Sequence, residues 1–338
     1  MDCCCFWYVL SASPVLVFLS YLIFNKLFAP GQSPNLLGKH VMVTGGSSGI
    51  GLAVAQEVAR LGAHVTLVAR NQEKLVEAQQ TVQATANKAK VLIRPFDVCS
   101  DGVEGMVADA ETALGPIFML VNCAGYSTPA RFEDLSMQEV KRMMDVNFFG
   151  TFAVTQAVVR RMKQRSVSDS RERQGIVVLT SSQGGMLGIY GFTAYAAAKA
   201  ALIKFAEALH MEVQTSGLSV TVSVPPDTDT PGFEKENVSK PTETRLVSET
   251  AGLFSAEVVA KSLVRDALAG RFYTTVGIEG FMLTTLCAGM GPITYFWDFF
   301  AQVFLTGVFR FISSFFLLNF DHIVRKEYAK RMNDKKRE

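Results

Sequence analysis

Two side chains with complementary acid–base chemistry, Tyr195 and Lys199, stand four residues apart. In a helix this spacing places both on one face. A phenol with a pKa of about 10 is a poor proton donor or acceptor at neutral pH. A nearby ammonium group stabilises the phenolate and lowers that pKa. The pair therefore predicts that Tyr195 gives a proton to a carbonyl oxygen as hydride reaches the carbonyl carbon.

Two serines, Ser181 and Ser182, precede the tyrosine by fourteen and thirteen residues and follow an apolar run at 176–180. A hydroxyl at the end of a strand can hydrogen-bond the oxygen of a substrate and polarise its carbonyl group. By position alone, either serine suits this role.

A glycine-rich turn follows another short apolar run, at 40–44, and reads Gly-Gly-Ser-Ser-Gly-Ile-Gly over residues 45–51. Glycine lets backbone amides approach a pyrophosphate that a Cβ atom would keep away. The N-terminus of a helix that begins here adds a favourable dipole. The turn therefore predicts a dinucleotide site, whose contact residues are Gly45, Ser47, Ser48, Gly49, Ile50 and Gly51.

A basic residue, Arg70, ends the next apolar run, and Lys74 follows one helical turn later. An acidic residue at this position would bind the ribose 2′-hydroxyl of NAD, whereas a basic residue suits the 2′-phosphate of NADP. The two positive charges therefore predict NADPH as the cofactor. The alternative is that Arg70 is an ordinary surface arginine.

The elements that must position these residues alternate between residues 39 and 276. Short β-rich apolar runs precede longer runs of helical period. Strands are predicted at 40–44, 64–69, 91–96, 118–121, 176–180, 220–224 and 272–276. Helices are predicted to begin near Gly49, Gln72, Gly102, Gln138, Thr193 and Ala256. This alternation predicts an α/β fold with a doubly wound, Rossmann-like parallel sheet covered by helices on both faces.

These motifs, in this order, resemble those of the short-chain dehydrogenase/reductase family from about residue 39 to residue 276. The Gly-x-x-x-Gly-x-Gly spacing of the turn is the form that this family uses. The resemblance implies that Asp97 lies beside the adenine ring and that Asn122, in an Asn-x-Ala-Gly turn, lines the cofactor pocket. It also implies that Lys199 holds the nicotinamide ribose.

The family pattern also bears on the catalytic group. Its spacing favours Ser182, with Ser181 remaining an alternative. Asn147 matches a fourth member, which positions a water molecule linked to Lys199.

Residues 225–232 read Pro-Pro-Asp-Thr-Asp-Thr-Pro-Gly. Many family members have Pro-Gly followed by a threonine here, and that threonine contacts the nicotinamide amide. Asp227 replaces the glycine, so Thr228 or Thr230 is left to make the contact. We interpret residues 231–256, which are polar, as a mobile substrate lid.

Hydrophobic residues make up 49% of the chain. Their excess over the composition of an ordinary soluble enzyme is concentrated at the two ends. Residues 3–24 carry no charge and are long enough to span a bilayer. They predict a retained N-terminal transmembrane helix within residues 1–30, with the positive charges beyond it placing the rest of the chain in the cytosol. The cysteines at 3–5 are interpreted as reduced thiols, with palmitoylation as the alternative.

The second apolar region, 280–320, contains eleven phenylalanine and tryptophan residues and only two charges, Asp298 and Arg310. It predicts a membrane-associated hairpin or interfacial segment. The alternative is a buried subunit interface in a homo-oligomer. The chain is accordingly divided into an anchor (1–30), a catalytic domain (31–277), a membrane-associated segment (278–320) and a basic cytosolic tail (321–338). The last four residues resemble a dilysine signal for retrieval to the endoplasmic reticulum, although a solvated basic tail is also common.

The net charge of +2 gives no indication of nucleic-acid binding. The six cysteines have neither metal-ligand spacing nor the arrangement of a disulfide framework. We therefore predict no metal site.

Several stretches resemble, more narrowly, the branch of the family that reduces the lipid ketone 3-ketosphinganine. These stretches are 43–51, 67–71, 191–195, 225–232 and 244–250. The resemblance implies reduction of this ketone to sphinganine with NADPH, at the cytosolic face of the endoplasmic reticulum, in sphingolipid synthesis. Two alternatives are a retinoid or steroid dehydrogenase of the same family and a catalytically inactive membrane scaffold.

Overall fold

The computed structural model describes residue 21 and residues 33–86, 88–165, 173–250 and 252–335. The N-terminal anchor predicted within residues 1–30 lies outside the described residues, apart from Tyr21. The cysteines at 3–5 and the last three residues of the basic tail also lie outside them.

The core of the protein is a seven-stranded parallel sheet, which confirms the predicted Rossmann-like fold. The strands are β1 (His40–Thr44), β2 (His64–Ala69), β3 (Val91–Pro95), β4 (Ile117–Asn122), β5 (Gly175–Thr180), β6 (Leu218–Ser223), β7 (Thr228–Asp229), β8 (Phe254–Ser255) and β9 (Tyr273–Thr274). The order in the sheet is β3-β2-β1-β4-β5-β6-β9, while β7 and β8 form a separate short pair. Every residue of β1, β4 and β5 is buried, as expected for strands covered on both faces.

The described part of the chain contains twelve α-helices. They are α1 (Gly49–Arg60), α2 (Gln72–Thr85), α3 (Val103–Leu114), α4 (Met137–Met144), α5 (Thr151–Arg165), α6 (Thr193–Val213), α7 (Pro231–Ser239), α8 (Thr242–Ser248), α9 (Ala256–Leu268), α10 (Gly277–Leu286), α11 (Phe296–Phe304) and α12 (Thr306–Lys335). Apolar side chains of α1, α2 and α9 pack on one face, and those of α3, α5 and α6 pack on the other. The strand order reverses between β1 and β4, which opens a crevice at the carboxyl ends of these strands.

The segment that we interpret as the lid, residues 231–256, contains the helices α7 and α8. Thr230 caps α7 by accepting a hydrogen bond from the amide of Phe233 (3.1 Å), and Pro231 occupies the first turn. Thr244, which is fully buried, donates a hydrogen bond to the carbonyl oxygen of Tyr190 (2.7 Å). The lid is therefore folded onto the catalytic domain.

The C-terminal helix α12 is, among the described residues, the one helix long and apolar enough to cross a membrane by length and composition. Its apolar window is not buried against the rest of the protein. The exposed apolar side chains of α11 and α12 include Trp297, Val303, Phe304, Val308, Phe311, Phe315 and Leu318. This surface indicates association with a membrane. The helix continues without a break from the apolar region into residues 321–335.

An ion pair joins this helix to the lid. A guanidinium nitrogen of Arg331 lies 3.0 Å from a carboxylate oxygen of Glu243 in α8, and the Glu243 side chain is 2% exposed. The polar end of α12 therefore rests on the lid.

Replacing Arg331 by Gln should destabilise the fold, because it leaves the buried carboxylate of Glu243 without its cation. We expect a loss of about 1–3 kcal/mol in the free energy of unfolding, measured by denaturant titration of the detergent-solubilised protein. A matched control on the same helix is Arg325→Gln, since the Arg325–Asp321 pair is exposed on both sides; its effect should stay below about 0.5 kcal/mol. Equal effects of the two substitutions would contradict this role of Arg331.

Candidate active site

The glycine-rich turn between β1 and α1 is closely packed at the mouth of the crevice. Gly45 and Gly49 have φ angles of +66° and +55°, which favour glycine. A Cβ atom on Gly45 would lie 2.8 Å from the amide nitrogen of Ala124, and one on Gly51 would collide with the carbonyl group of Gly45. The turn therefore requires glycine for its own conformation as well as for the approach of a ligand.

The crevice has a volume of about 490 Å³, within the range of small-molecule and cofactor sites. The structure brings most of the predicted nucleotide residues together in its lining, namely Gly45, Ser47, Ser48, Gly49, Ile50, Gly51, Arg70, Lys74 and Asp97. The lining also includes residues that the sequence analysis missed, among them Asn71, Val98, Tyr126, Val146 and Lys235. A nicotinamide dinucleotide fits this crevice, since its walls combine backbone amides, hydroxyls and cations.

Two exposed cations mark the edge of the crevice at the end of β2. The Arg70 side chain is 64% exposed and lies 3.9 Å from a carboxylate oxygen of Asp97. Lys74 is exposed in the first turn of α2. Asn71 caps this helix, since its side-chain oxygen accepts a hydrogen bond from the Lys74 amide (2.8 Å). Asp97 thus faces Arg70 in addition to the crevice.

Four of the predicted cofactor ligands are not among the residues that line the crevice, namely Asn122, Tyr195, Lys199 and Thr228. Asn122 lies inside the sheet, where its amide group donates to Thr155 (3.1 Å) and to the carbonyl oxygen of Val178 (3.3 Å). Thr228 is buried, and its hydroxyl donates to the carbonyl oxygen of Pro226 (2.8 Å). Neither lines the crevice, whereas Thr230 does. The pairing of β4 with its neighbours turns Asn122 inward, and the short pairing of β7 with β8 does the same for Thr228.

The helix α6 carries Tyr195 and Lys199 to the end of β5, as their spacing predicts. The ammonium of Lys199 donates to the carbonyl oxygen of Thr180 (2.9 Å) and lies 5.7 Å from the centre of the Tyr195 ring. Lys199 is 5% exposed, and burial lowers its pKa to about 8. The cation is thus buried beside the phenol but is anchored to the strand.

The expectation that the ammonium lowers the pKa of the phenol is not met in this arrangement. Burial raises the pKa of Tyr195 well above its usual range, and the carboxylates of Glu236 and Asp227 raise it further. A hydrogen bond with Ser182 acts in the opposite direction on this pKa. The physical reason is position, since the Lys199 ammonium lies toward the ring and binds Thr180.

The two candidate serines have different surroundings. Ser181 is buried and its hydroxyl donates to the backbone carbonyl oxygen of Lys199 (2.8 Å). The hydroxyl of Ser182 accepts a hydrogen bond from the amide of Gly184 (3.1 Å). A Cβ atom built on Gly184 would lie 3.5 Å from this hydroxyl oxygen and 3.6 Å from Cε1 of Tyr195, so the two side chains border the same space. The structure therefore brings Ser182 to the phenol and uses Ser181 to hold the helix.

Asn147 lies in a π-helical turn, Asp145–Gly150, between α4 and α5. Its amide nitrogen donates to the carbonyl oxygens of Tyr126 and Met143 (both 2.9 Å). A Cβ atom built on Gly125 would lie 2.6 Å from Oδ1 of Asn147 and 3.3 Å from Nζ of Lys199. The asparagine and the lysine thus border the same space beside Gly125.

Two charged residues of the lid, Glu236 and Lys240, also belong to the surroundings of the phenol, and the sequence analysis missed them. Nζ of Lys240 lies 2.9 Å from a carboxylate oxygen of Glu236 and 3.8 Å from one of Asp227. Their spacing of four residues was a sequence signal for a helical ion pair. That spacing could not show that the pair is buried.

Comparisons with known proteins agree with this geometry. A model of the short chain dehydrogenase family matches residues 39–241. A 3-ketodihydrosphingosine reductase from Bos taurus is 45% identical over 315 residues, covering 91% of this chain and 93% of the relative. A 3-dehydrosphinganine reductase from Danio rerio is also 45% identical, with 92% of each chain covered. The 3-dehydrosphinganine reductase TSC10B of Arabidopsis thaliana is 36% identical, covering 92% of this chain and 90% of the relative.

Among solved structures, a levodione reductase superposes with a TM-score of 0.65 at 25% identity, covering 74% of this chain and 99% of its own. The shared fold and the family match imply a nicotinamide cofactor. The chain belongs to the short-chain dehydrogenase/reductase family.

Proposed function

We propose that this chain is a reductase that converts 3-ketosphinganine to sphinganine with NADPH. The observation that carries the reaction type is that Ser182 and Tyr195 border the same space beside Gly184. Thr180, at the end of the strand that leads to Ser182, lines the glycine-rich crevice. The similarity to 3-dehydrosphinganine reductases over more than nine-tenths of the chain supports the substrate.

In this proposal Tyr195 acts as the proton donor. Its raised pKa keeps the phenol protonated at neutral pH, which is the form that a reduction requires. The bound nicotinamide supplies the hydride for the carbonyl carbon. Tyr195 gives its proton to the oxygen, so the ketone becomes a secondary alcohol. Ser182 polarises the carbonyl group, and Ser181 holds α6 in place.

Lys199 and Asn147 complete the group. The ammonium of Lys199 would hold the ribose of the cofactor and stabilise the phenolate once the proton has left. Asn147 would hold a water molecule next to this lysine, since both reach the space beside Gly125. Such a water would return a proton from solvent to the phenol.

The choice of NADPH rests on Arg70 and Lys74. Both are exposed cations at the end of β2, where the 2′-phosphate of the adenosine ribose would lie. Charge-assisted hydrogen bonds to a phosphate are stronger than those to a hydroxyl group. The serines of the glycine-rich turn, Ser47 and Ser48, add hydroxyl donors to the same crevice.

For location, we propose the cytosolic face of the endoplasmic reticulum. The exposed apolar surface of α11 and α12 would contact the bilayer into which a long-chain ketone partitions.

Replacing Tyr195 by Phe should lower kcat for 3-ketosphinganine by about 100-fold or more, because general acid catalysis is lost. NADPH oxidation by the detergent-purified protein measures the rate. The affinity for NADPH, followed by nucleotide fluorescence, should change little. Tyr328→Phe, on the exposed face of α12, is the control and should keep full activity. A Tyr195→Phe enzyme of normal rate would refute the proposed chemistry.

Replacing Arg70 by Ser should raise KM for NADPH by about 10-fold or more, as expected for loss of a charge-assisted hydrogen bond. KM for NADH should change little, so the ratio of kcat/KM values for the two cofactors reports the effect. Lys90→Ser is a control, since Lys90 precedes β3 at the amino ends of the strands, whereas Arg70 follows β2 at their carboxyl ends. A preference of the wild-type protein for NADH would overturn the assignment.

The rate of reduction should fall as pH rises through about 8, the lowered pKa of Lys199. Below this pH the lysine carries its charge, and above it the charge is lost. Tyr195 stays protonated throughout this range because its pKa is raised. Measuring kcat/KM between pH 6 and 10 tests the sign, and a rate that rises through pH 8 would contradict it.

A further inference from the structure

Asp227, Glu236 and Lys240 form a charged group that we call the lid triad. Lys240 is at its centre, with ion pairs to both carboxylates, and its side chain is 1% exposed. The side chains of Glu236 and Asp227 are 14% and 28% exposed. All three are thus largely removed from water. Glu236 and Lys240 lie in and directly after α7, and Asp227 lies in the segment that follows β6.

The lid triad has one negative charge more than it has positive charge. Lys240 lies closer to Glu236 (2.9 Å) than to Asp227 (3.8 Å), so the second carboxylate is the less well compensated. Burial raises the pKa of both carboxyl groups, whereas Lys240 lowers it. A buried excess charge is unfavourable unless a counterion arrives.

Lys240 itself is held in place by aromatic rings. Its Nζ lies 4.6 Å from the ring centre of Phe233 and 5.7 Å from that of Phe192. Rings in this position attract a cation. These contacts stabilise the lysine at its position closer to Glu236 than to Asp227.

Among the described residues, the other charged side chains that line the cavity beside the triad add no net charge. Arg245 and Glu249 line the same cavity of about 490 Å³ as Asp227 and Lys240, and they carry opposite charges. The guanidinium of Arg245 donates to the carbonyl oxygen of Asn237 (3.3 Å).

The lid triad adjoins the proton donor. The Phe192 ring, over which Lys240 lies, is 5.5 Å from the ring of Tyr195, centre to centre. Both carboxylates raise the pKa of Tyr195, so their field reaches its hydroxyl group. A ketone that accepts a hydrogen bond from Tyr195 would therefore lie in a region of excess negative charge.

We propose that Asp227 and Glu236 bind the ammonium group of an α-amino ketone, and so select substrates that carry an amine on the carbon next to the carbonyl group. This inference rests on the proposed function, because 3-ketosphinganine has its amine at that position. A carboxylate pair is suited to an ammonium group, which offers three donors. Lys240 leaves one negative charge, which matches a single cation.

The same contact would assist the reaction. While the carboxylates are unbalanced they oppose the loss of the phenolic proton. A bound ammonium offsets them and makes the proton of Tyr195 easier to release. Recognition of the amine is thereby coupled to proton transfer, which also gives a role to the aspartate that replaces the family glycine at position 227.

The experiment compares two ketones on the wild-type protein and on Asp227→Asn and Glu236→Gln. One ketone is 3-ketosphinganine, and the other is 1-hydroxyoctadecan-3-one, which has the same chain without the amine. We expect each substitution to lower kcat/KM for the amino ketone by about 10- to 100-fold, as for loss of a charge-assisted hydrogen bond. The value for the ketone without an amine should not fall.

Glu234→Gln is the matched control, since Glu234 is an exposed carboxylate on the same helix. It should leave both ketones unaffected. An equal loss on both ketones in Asp227→Asn and Glu236→Gln, or no loss on either, would overturn the proposal.

A second measurement needs neither catalysis nor a substituted protein. We expect the wild-type protein with NADP⁺ to bind sphinganine at least about 10-fold more tightly than octadecane-1,3-diol, by thermal shift in detergent. Equal binding would overturn the ammonium site. If neither ketone is reduced, the proposed function fails, whereas the binding comparison still decides whether the lid triad recognises an amine.

Discussion

A reciprocal pair of hydrogen bonds fastens α6 to the end of β5. The ammonium of Lys199 binds the carbonyl oxygen of Thr180, and the hydroxyl of Ser181 binds the backbone carbonyl oxygen of Lys199. Because both bonds are buried, they fix the helix in height and in rotation against the sheet. Tyr195 precedes Lys199 by one turn and is thereby placed against Ser182. The geometry of the proposed chemistry depends on this junction.

The junction also explains why the lysine does not act on the phenol as its spacing alone suggests. A side chain at i+4 can reach the residue at i, but here the ammonium donates a hydrogen bond to the carbonyl oxygen of Thr180 in β5. The phenol is instead governed by burial and by two carboxylates. The phenol is consequently protonated in this arrangement.

Much of the fold could be predicted from the sequence, and the reason is local. The ends of β1 and β2 coincide with the glycine-rich turn and with Arg70, so turn chemistry marked them to the residue. The side chains at these strand ends then had to meet at one edge of a parallel sheet. What could not be predicted is the direction of side chains within paired segments, as for Asn122 and Thr228. The buried partners of the lid also depend on contacts between distant parts of the chain.

The continuity of α12 has a geometric consequence. Arg331 follows Phe320, the last apolar residue before the polar part of the helix, by eleven residues, which corresponds to about 16 Å of helix. Since Arg331 is bonded to Glu243 in α8, this part of α12 sets the distance between α8 and the end of the apolar region. A long-chain ketone that leaves a bilayer at the end of the apolar region would then reach α8 over a distance that this part of the helix fixes. Inserting or deleting one helical turn in residues 321–330 would alter that distance and leave the residues of the candidate active site unchanged.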